Sequence, residues 1–479
     1  MIVFIIAVLA IIANSAHVIA AWFARPPQTY VTGIAHYFAD YFLYVSLMAQ
    51  KGWMYTDHLF TNEALPPTWI YWLYTILGKL GNPFVVYNVS IVVFSALVLW
   101  LWWQVIKETV PTVSTRLIAF LFVATASGFA GAEFWFSPLP ALNRLGGVPH
   151  QIFQTILLLS TILLFSRMMT KKTSFMNYAR PGEQGEAGES RIMNHEKNKK
   201  SHLFPFIIHN SLFIILVFLA AIANPIQMLL LSLAIILTNP RMLPFLVPAV
   251  IGAIITNAEF ARDPILTAAK AWENSQHISV SLWQFLLAIG PVVILIPLGL
   301  KRYMKDLTPL RRVLLSYGVL SVLVFFSPLP TLLGTSPVRW LSPAAYGAIP
   351  ILAAFGLTTK KYVLVLLMIL YSVFTIPSFM GQIESRMHAP TSLNYVPQEV
   401  IRRMKTMVGD GVVLTNPNTQ YDVLIPVFTG RKSFTGHPIH TLYPDVKEAL
   451  RKNYFAGEMT DEEKKQFLTD HNIETVYGP

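Results

Sequence analysis

The feature that most constrains this 479-residue sequence is a series of apolar windows, most of them roughly 17 to 25 residues long. A helix of about 20 apolar residues is long enough to cross the hydrocarbon core of a bilayer. Charged residues make up 13% of the chain, whereas about 25% is usual in soluble domains. We therefore predict an α-helical polytopic membrane protein.

Hydropathy along the chain predicts eleven membrane-spanning helices. They lie near residues 2–23, 83–105, 117–136, 152–169, 204–222, 226–238, 242–258, 280–300, 313–329, 341–358 and 361–379. The first window lacks the basic flank and the cleavage site of a secretory signal. We expect it to be retained as the first helix.

Basic residues predict the orientation of these helices, because Lys and Arg near membrane segments accumulate on the cytoplasmic side. They concentrate in alternate connections, at residues 107–116, 167–200, 241, 301–312 and 360–361. This pattern predicts a multi-pass protein of the cell membrane with a cytoplasmic N-terminus and an extracytoplasmic C-terminus. It also accounts for the net charge of +11. Basic and aromatic residues do not interleave on one face, so we expect no nucleic-acid partner.

The sequence predicts two domains. Residues 1–379 form the membrane core, which includes a large first outer loop at 24–82 and a Gly-, Glu- and Lys-rich cytoplasmic loop at 170–203 that we expect to be flexible. Residues 380–479 form a small extracytoplasmic α/β domain. Its predicted strands are "GVVLTNP", "KSFTGH" and "ETVYGP", and its predicted helices are "PDVKEALRKNYFAGE" and "TDEEKKQFLTDHN". Strands that alternate with helices indicate a mostly parallel sheet.

The stretch "HYFADYFLY" places one carboxylate, Asp40, among aromatic residues of the first outer loop. Desolvation in such surroundings would raise the pKa of the carboxyl group toward the range of a general base that deprotonates an acceptor hydroxyl. The alternative is that Asp40 caps an interfacial helix or pairs with a cation of the loop. Asp57 and Glu63, in "YTDHLFTNEALPPTW", are further acids of this loop, and both stand beside turn-forming residues.

One group in the same loop carries the ligand atoms that a divalent cation requires. His58, Asp57 and Glu63 form this group, although their spacing matches no strong metal motif. The chain contains no cysteine, which excludes disulfides and thiolate ligands. The sequence therefore leaves a metal requirement open and predicts no other cofactor.

Polar residues at other helix ends are expected on the same outer side. Glu133 lies near the end of the third helix, Arg144 and His150 lie in the turn after it, and Arg339 lies just before the tenth. An arginine at a helix start can form paired hydrogen bonds with a phosphate, and the alternative for both arginines is contact with lipid headgroups. Acids in an interfacial loop and cations at neighbouring helix ends suit a polyprenyl-phosphate sugar, whose phosphate lies at the membrane surface.

The start of the chain resembles the GT-C glycosyltransferases, which are polytopic enzymes that use lipid-linked sugar donors. The resemblance rests on one N-terminal helix, the acid in "ADYFLY", the Gly-Trp pair in "QKGWMYTDHLFTNE", and "PPTWIYWLYTILGKLGNP". It is similar in particular to the bacterial mannosyl-, arabinosyl- and aminoarabinosyl-transferase branches. The segment "SPVRWLSP" resembles the late outer loop of the family, and "VFTGRKSFTGHPIHT" resembles the extracytoplasmic modules of uncharacterised relatives.

This resemblance implies glycosyl transfer on the extracytoplasmic face. Asp40 matches the family's essential acid and would act as the base, while Arg339 and Arg144 would hold the departing phosphate. A tyrosine follows Asp40 where many members have a second acid, which leaves Asp57 and Glu63 as candidates for that role. The substrate site would include Tyr44, Trp69, Glu133 and His150. The expected partners are a polyprenyl-phosphate sugar donor, membrane lipids, and a glycan, lipid or protein acceptor.

Two functions of other classes remain open. A transporter or flippase of a lipid-linked or small substrate would carry out no bond chemistry and would favour broken helices at mid-membrane and internal repeats. The sequence shows no clear repeat, and most candidate polar residues lie at helix ends. A sensor or assembly protein would bind a partner through its outer α/β domain, but eleven helices exceed what an anchor needs.

Overall fold

The chain is mostly α-helical, as the sequence predicts. The computed structural model describes residues 1–34, 37–50, 58–125, 148–178, 210–275, 280–357, 361–387 and 391–478. Most of the loop that we predicted at 170–203 lies outside these ranges.

Helices occupy part or all of each of the eleven apolar windows. In chain order, including those of the first outer loop, they are α1 (Ile2–Asn14), α2 (Ala16–Phe23), α3 (Phe38–Ala49), α4 (Trp72–Leu77), α5 (Pro83–Thr109), α6 (Val113–Thr125), α7 (Pro149–Tyr178), α8 (Asn210–Ala223), α9 (Pro225–Thr238), α10 (Leu243–Arg262), α11 (Pro264–Ser275), α12 (Leu282–Ile289), α13 (Ile296–Tyr303), α14 (Pro309–Phe325), α15 (Leu329–Leu332), α16 (Pro343–Tyr346), α17 (Ala348–Gly356) and α18 (Lys361–Met387). Short 3₁₀ helices link several of them, at Gly78–Leu80, Pro240–Met242, Pro291–Leu295, Met304–Asp306 and Pro337–Trp340.

Within the described ranges, 3 helical segments are long and apolar enough to cross a membrane, namely Pro83–Thr109, Pro149–Met169 and Pro240–Arg262. Two further spans arise if each bent helix pair counts as one. The first pair is α1 with α2, bent by 61°, and the second is α12 with Pro291–Asp306, bent by 96°. The protein therefore carries helices that can span a membrane, whereas eleven crossings stay a prediction.

Asparagine-proline pairs set the start of two of the helices. The Asn82 side chain accepts hydrogen bonds from two N–H groups of the first turn of α5, at 3.1 and 3.3 Å, and Pro83 occupies the first helical position. The asparagine satisfies N–H groups that have no partner within the helix, and the proline has no N–H to satisfy. Asn224 and Pro225 repeat this arrangement at the start of α9.

A close contact between α5 and the junction of α16 and α17 depends on a glycine. Trp102 is buried on α5, and a Cβ atom at position 347 would lie 1.8 Å from its Cη2 atom. Small residues allow helices in membranes to approach one another in this way. Position 347 has no room for a side chain larger than that of Gly347.

We expect Gly347→Ala to destabilise the protein by about 1–3 kcal/mol, because the added methyl group must displace the Trp102 indole or the helix backbone. Gly381→Ala is the matched control, since Gly381 also lies in a helix and a Cβ atom there would meet no heavy atom of the described residues within 4 Å. Thermal unfolding of both variants in detergent measures the difference. Equal unfolding midpoints would contradict the packing described here.

After α18 the chain forms the α/β region that the sequence predicts. Its elements are α19 (Thr391–Asn394), β2 (Tyr395–Pro397), α20 (Gln398–Lys405), β3 (Val412–Thr415), α21 (Ile425–Thr429), α22 (Pro444–Ala456), α23 (Asp461–Asp470) and β4 (Ile473–Tyr477), with β1 (Thr29–Val31) lying in the first outer loop. β3 and β4 pair in parallel, so these two predicted strands are confirmed. Helices α22 and α23 coincide with the two predicted helical patterns, and Thr460 and Glu463 form a capping box at the start of α23.

The predicted strand "KSFTGH" is wrong in extent. Within this described segment, Ser433 alone forms a parallel bridge, with Val413 of β3. The N–H group of Ser433 donates a hydrogen bond of 2.8 Å to the carbonyl of Leu59 in the first outer loop. The first outer loop therefore contacts the edge of this segment that faces away from β3.

The first outer loop and the C-terminal region pack against each other. β1 pairs antiparallel with β2, and the Lys432 amine donates to the Glu63 carbonyl over 3.1 Å. The main hydrophobic core includes buried residues of the helices together with Val396 and Leu424 of the C-terminal region. A smaller core lies against the parallel sheet and consists of Val412, Leu414, Phe434, Phe467 and Ile473. Residues on the two sides of the predicted domain boundary near residue 380 are therefore in contact with each other.

The connections gather at two ends of the helical bundle. At the start of α5, the Asn82 side chain lies 3.0 Å from the Tyr30 hydroxyl of the first outer loop. At the end of α5, the Arg311 Nε atom donates to the Thr109 carbonyl over 2.9 Å. A helix of 27 residues is about 40 Å long. Tyr30 and Arg311 therefore lie at opposite ends of α5.

Candidate functional site

Asp40 lies in the first turn of α3, at the end of the bundle that carries the first outer loop. The neighbouring residues Tyr41, Phe42 and Val45 are buried in the core and fix the helix in place. The carboxylate itself stays 41% exposed. A negative charge in the first turn is stabilised by the helix dipole. The structure therefore presents the Asp40 carboxylate to an open space on a rigid support.

The Asp40 carboxylate contacts a histidine of the C-terminal region. His437 Nε2 lies 2.9 Å from Asp40 Oδ1, and the His437 side chain is 1% exposed. Its other ring nitrogen, Nδ1, accepts hydrogen bonds from the N–H groups of Ile439 at 3.1 Å and His440 at 3.0 Å. Because Nδ1 accepts, we assign the ring proton to Nε2, which donates to the carboxylate.

The loop that carries His437 is docked on the first outer loop at two more points. Gly436 has a φ of +151°, and a Cβ atom there would lie 2.5 Å from Phe60 Cδ1. The glycine thus allows the loop to pass close to Phe60. Four residues after Gly436, His440 Nε2 lies 3.1 Å from the Tyr71 hydroxyl. Burial lowers the pKa of His440 well below its usual value, and the neighbouring His437 and His58 lower it further, so its ring is neutral.

Aromatic side chains form the wall beside Asp40. Tyr44 stacks on Tyr74 with ring centroids 4.6 Å apart, and Tyr74 stacks in turn on Tyr87 at 6.1 Å. His150, at the start of α7, lies 2.7 Å from the Tyr74 hydroxyl through Nδ1 and packs edge-on against Tyr44. Two of the predicted substrate residues, Tyr44 and His150, are therefore in contact with each other.

Arg339 presents a guanidinium group on the same end of the bundle. Its Nε and Nη2 atoms donate to the two carboxylate oxygens of Glu273, at 2.6 and 2.8 Å. The Arg339 side chain is still 58% exposed. The Arg339 backbone is held by Gln227, whose Nε2 atom donates to the Arg339 carbonyl. The Tyr317 hydroxyl in turn donates to Gln227 Oε1. A guanidinium that binds one planar carboxylate in this way has the geometry to bind a phosphate.

The charges of Asp40 and Arg339 act on the same two tyrosine hydroxyls. Burial raises the pKa of Tyr44, and the charge of Asp40 raises it further while that of Arg339 lowers it. The pKa of Tyr71 is raised by burial and by the charges of Asp263 and Asp40, and the charge of Arg339 opposes this shift. The acid and the cation therefore influence the same pair of buried hydroxyls in opposite directions.

The turn between α10 and α11 contacts the first outer loop through two buried side chains, Asp263 and His58. His58 Nε2 lies 2.8 Å from Asp263 Oδ2, with both side chains nearly inaccessible to solvent. Burial acts to raise the pKa of Asp263, but the hydrogen bond and the charge of His58 outweigh it, so the pKa is lowered. Arg262 donates to the Pro67 carbonyl over 2.6 Å. These contacts hold the first outer loop over the start of α11.

Glu63 is engaged in an ion pair that ties the first outer loop to α22. Lys447 Nζ lies 2.7 Å from Glu63 Oε2, and the Lys447 side chain is 4% exposed. The Thr61 hydroxyl also donates to Glu63. Burial acts to raise the pKa of Glu63, but these hydrogen bonds outweigh it and the pKa is lowered. These contacts give Glu63 a role in holding the C-terminal region in place.

The structure thus brings together several of the residues predicted from sequence. Asp40, Tyr44, His150 and Arg339 lie at one end of the bundle, and Trp69 lies partly buried just before α4. Asp57, Glu133 and Arg144 lie outside the described residues. Among the residues that the structure describes, no group of three or more His, Asp or Glu side chains is arranged to hold a metal ion.

Two residues of the site were missed in the sequence. His437 lies in "TGHPIHT", at the end of a predicted strand, where a turn explains the residues as well as a ligand-binding role does, and Glu273 lies in an amphipathic helix with no motif. No family model matches this sequence, and a comparison with curated proteins finds no match.

Proposed function

We propose that this protein is an integral-membrane glycosyltransferase that moves a sugar from a polyprenyl-phosphate donor to an acceptor hydroxyl on the extracytoplasmic face. The observation that carries the proposal is that an exposed carboxylate, Asp40, and an exposed guanidinium, Arg339, both act electrostatically on the buried hydroxyls of Tyr44 and Tyr71. A proton acceptor on one side and a phosphate ligand on the other are the two groups that such a transfer requires.

The reaction follows from this arrangement. The acceptor hydroxyl gives its proton to the Asp40 carboxylate as its oxygen attacks the anomeric carbon of the sugar. The bond between that carbon and the phosphate oxygen breaks, and its electron pair leaves with the polyprenyl phosphate. Arg339 offsets the negative charge that develops on the phosphate. Attack on the face opposite the leaving group inverts the anomeric configuration.

The surroundings of Arg339 fit a lipid-linked donor. Leu329, Leu332 and Leu333 of the preceding segment are exposed by 40%, 77% and 52%. Large apolar side chains on a surface beside an arginine suit the boundary between headgroups and acyl chains. A polyprenyl tail could lie along this surface in the bilayer while its phosphate reaches the guanidinium.

The proposal is tested with the purified protein in liposomes that contain a polyprenyl-phosphate sugar labelled in the sugar. We expect labelled sugar to appear on an added acceptor together with an equal amount of free polyprenyl phosphate. The donor sugars to screen are mannosyl, arabinosyl and aminoarabinosyl. Failure to consume any polyprenyl-phosphate sugar in the presence of cell-envelope glycans, lipids and proteins would refute the proposal.

Replacing Arg339 with glutamine is expected to raise the donor KM about 10- to 100-fold, because a charge-assisted bidentate contact contributes about 1.5–3 kcal/mol. Arg402→Gln is the matched control, since Arg402 is also exposed and paired with a glutamate, Glu399. Initial rates at varied donor concentration give both values. A donor KM that rises equally in the two variants would assign the effect to surface charge rather than to phosphate binding.

One observation favours a second candidate function. The 96° bend between α12 and Pro291–Asp306 is the kind of broken helix that transporters use at their binding sites. A flippase would move a lipid-linked sugar between leaflets without cleaving it. Measuring leaflet accessibility of the donor and release of polyprenyl phosphate in the same liposomes separates the two functions, since only the transferase releases the phosphate.

A further inference from the structure

We propose that the C-terminal region completes the reaction centre, and that His437 is a positioning residue that orients the Asp40 carboxylate through its Nε2–H group. This inference rests on the proposed transferase function and adds a residue from the far end of the chain to it. The two side chains are separated by 397 positions in sequence and by 2.9 Å in space.

The orientation of the His437 ring is fixed on its other side. Two backbone N–H groups, of Ile439 and His440, donate to Nδ1. A second proton on the ring would have to displace both of these hydrogen bonds. Nε2 is therefore the ring nitrogen that donates to Asp40, and the donor direction is set by the backbone of its own loop.

The loop is fixed in turn by the parallel sheet and by α22. The segment 434–437 directly follows Ser433, which bridges to Val413 of β3. Arg451 of α22 is buried and donates to Thr435 Oγ1 at 2.8 Å and to Asp422 Oδ2 at 2.9 Å. Support of this kind holds a side chain within the narrow tolerance that a reaction geometry requires.

Several described groups other than His437 also act on Asp40. Five tyrosines on or directly before α3, α4 and α5 have an electrostatic interaction with Asp40: Tyr37, Tyr44, Tyr71, Tyr74 and Tyr87. These phenols stay neutral near pH 7. Arg339, which acts on Tyr44 and Tyr71, keeps its charge throughout this range, and His440 is neutral. A donor lost at His437 therefore removes one hydrogen bond that favours the charged form of the carboxylate.

The test compares His437→Leu with His437→Gln in the liposome transfer assay. Leucine removes the donor, whereas glutamine can offer an N–H group near the position of Nε2. We expect His437→Leu to lower kcat about 10- to 100-fold with little change in the donor KM. The acidic limb of its kcat/KM profile should move to higher pH by about one unit, because the carboxylate loses a stabilising donor. His437→Gln should restore most of kcat and return the limb to its original position.

Each outcome separates this inference from the proposed function. Wild-type transfer with an unmoved acidic limb in His437→Leu would overturn the positioning role and leave the transferase intact. Absence of transfer by the wild type would refute the function. The positioning geometry is checked without activity by ¹⁵N NMR of histidine-labelled protein, in which the signals lost in His437→Gln identify the His437 ring. We expect a ring proton on Nε2, and a proton on Nδ1 would overturn the inference.

Discussion

Replacing Asp40 with asparagine is expected to lower kcat for sugar transfer about 10²- to 10⁴-fold, the usual contribution of a general base. Asparagine keeps the shape of the side chain and an oxygen that can accept the hydrogen bond from His437 Nε2. The change therefore removes the basic group while it leaves the position of the side chain intact. The acceptor hydroxyl then has no base to take its proton. We therefore expect kcat to fall rather than the donor KM to rise.

Asp445→Asn is the matched control for this substitution. Asp445 is an exposed acid in the first turn of α22, as Asp40 is an acid in the first turn of α3. We expect its transfer rate to equal that of the wild type. Both variants should keep the wild-type thermal midpoint within a few degrees. If folded Asp40→Asn transferred sugar at the wild-type rate, Asp40 would not be the base, and the reaction would need another proton acceptor.

Local patterns were enough to select Asp40 as a candidate and to predict the segments that form helices. A carboxylate among aromatics after an apolar window is visible within nine residues of sequence, and the apolar windows themselves determine where the chain is helical. The number of membrane crossings, in contrast, does not follow from these local patterns. Hydropathy measures the composition of a window but not where a helix bends, and the structure divides the first and eighth windows into bent pairs.

The contacts of the C-terminal region could not be predicted from sequence. Two contacts accompany the approach of His437 to Asp40: Gly436 packs closely against Phe60, and β2 pairs with β1. Each contact joins positions that are hundreds of residues apart. Pairings across such distances carry no periodic signal in one sequence. The contact of the segment "KSFTGH" with Leu59 is equally invisible in the sequence, because it joins positions far apart in the chain.

The ion pair between Glu63 and Lys447 should respond unequally to removal of its two partners. Glu63→Ala leaves Lys447, which is 4% exposed, without its carboxylate, and breaking a buried pair in this way costs about 3–5 kcal/mol. Lys447→Met leaves Glu63, which is 30% exposed, free to be hydrated, so a smaller loss is expected. The double variant Glu63→Ala with Lys447→Met should be about as stable as Lys447→Met alone.

Opening of the contact between the C-terminal region and the first outer loop can be measured by labelling an introduced thiol, because the chain contains no cysteine of its own. Ser433→Cys introduces a single thiol at a fully buried position beside Leu59, which a maleimide reaches only when the C-terminal region separates from the first outer loop. In this background we expect Glu63→Ala to increase the labelling rate about 100-fold or more. Glu399→Ala, which removes an exposed acid paired with Arg402, should leave the rate unchanged.

The contribution of Glu63 should also depend on pH in a defined direction. Its pKa is lowered in the folded protein because the hydrogen bonds from Lys447 and Thr61 outweigh the effect of burial. A carboxyl group of this kind stabilises the folded state above its unfolded pKa, and the contribution is lost as pH falls through its folded pKa. The thermal midpoints of the wild type and Glu63→Ala should therefore differ near neutral pH and converge below the ordinary range of a glutamate. A difference that persisted in acid would mean that Glu63 acts through packing rather than through its charge.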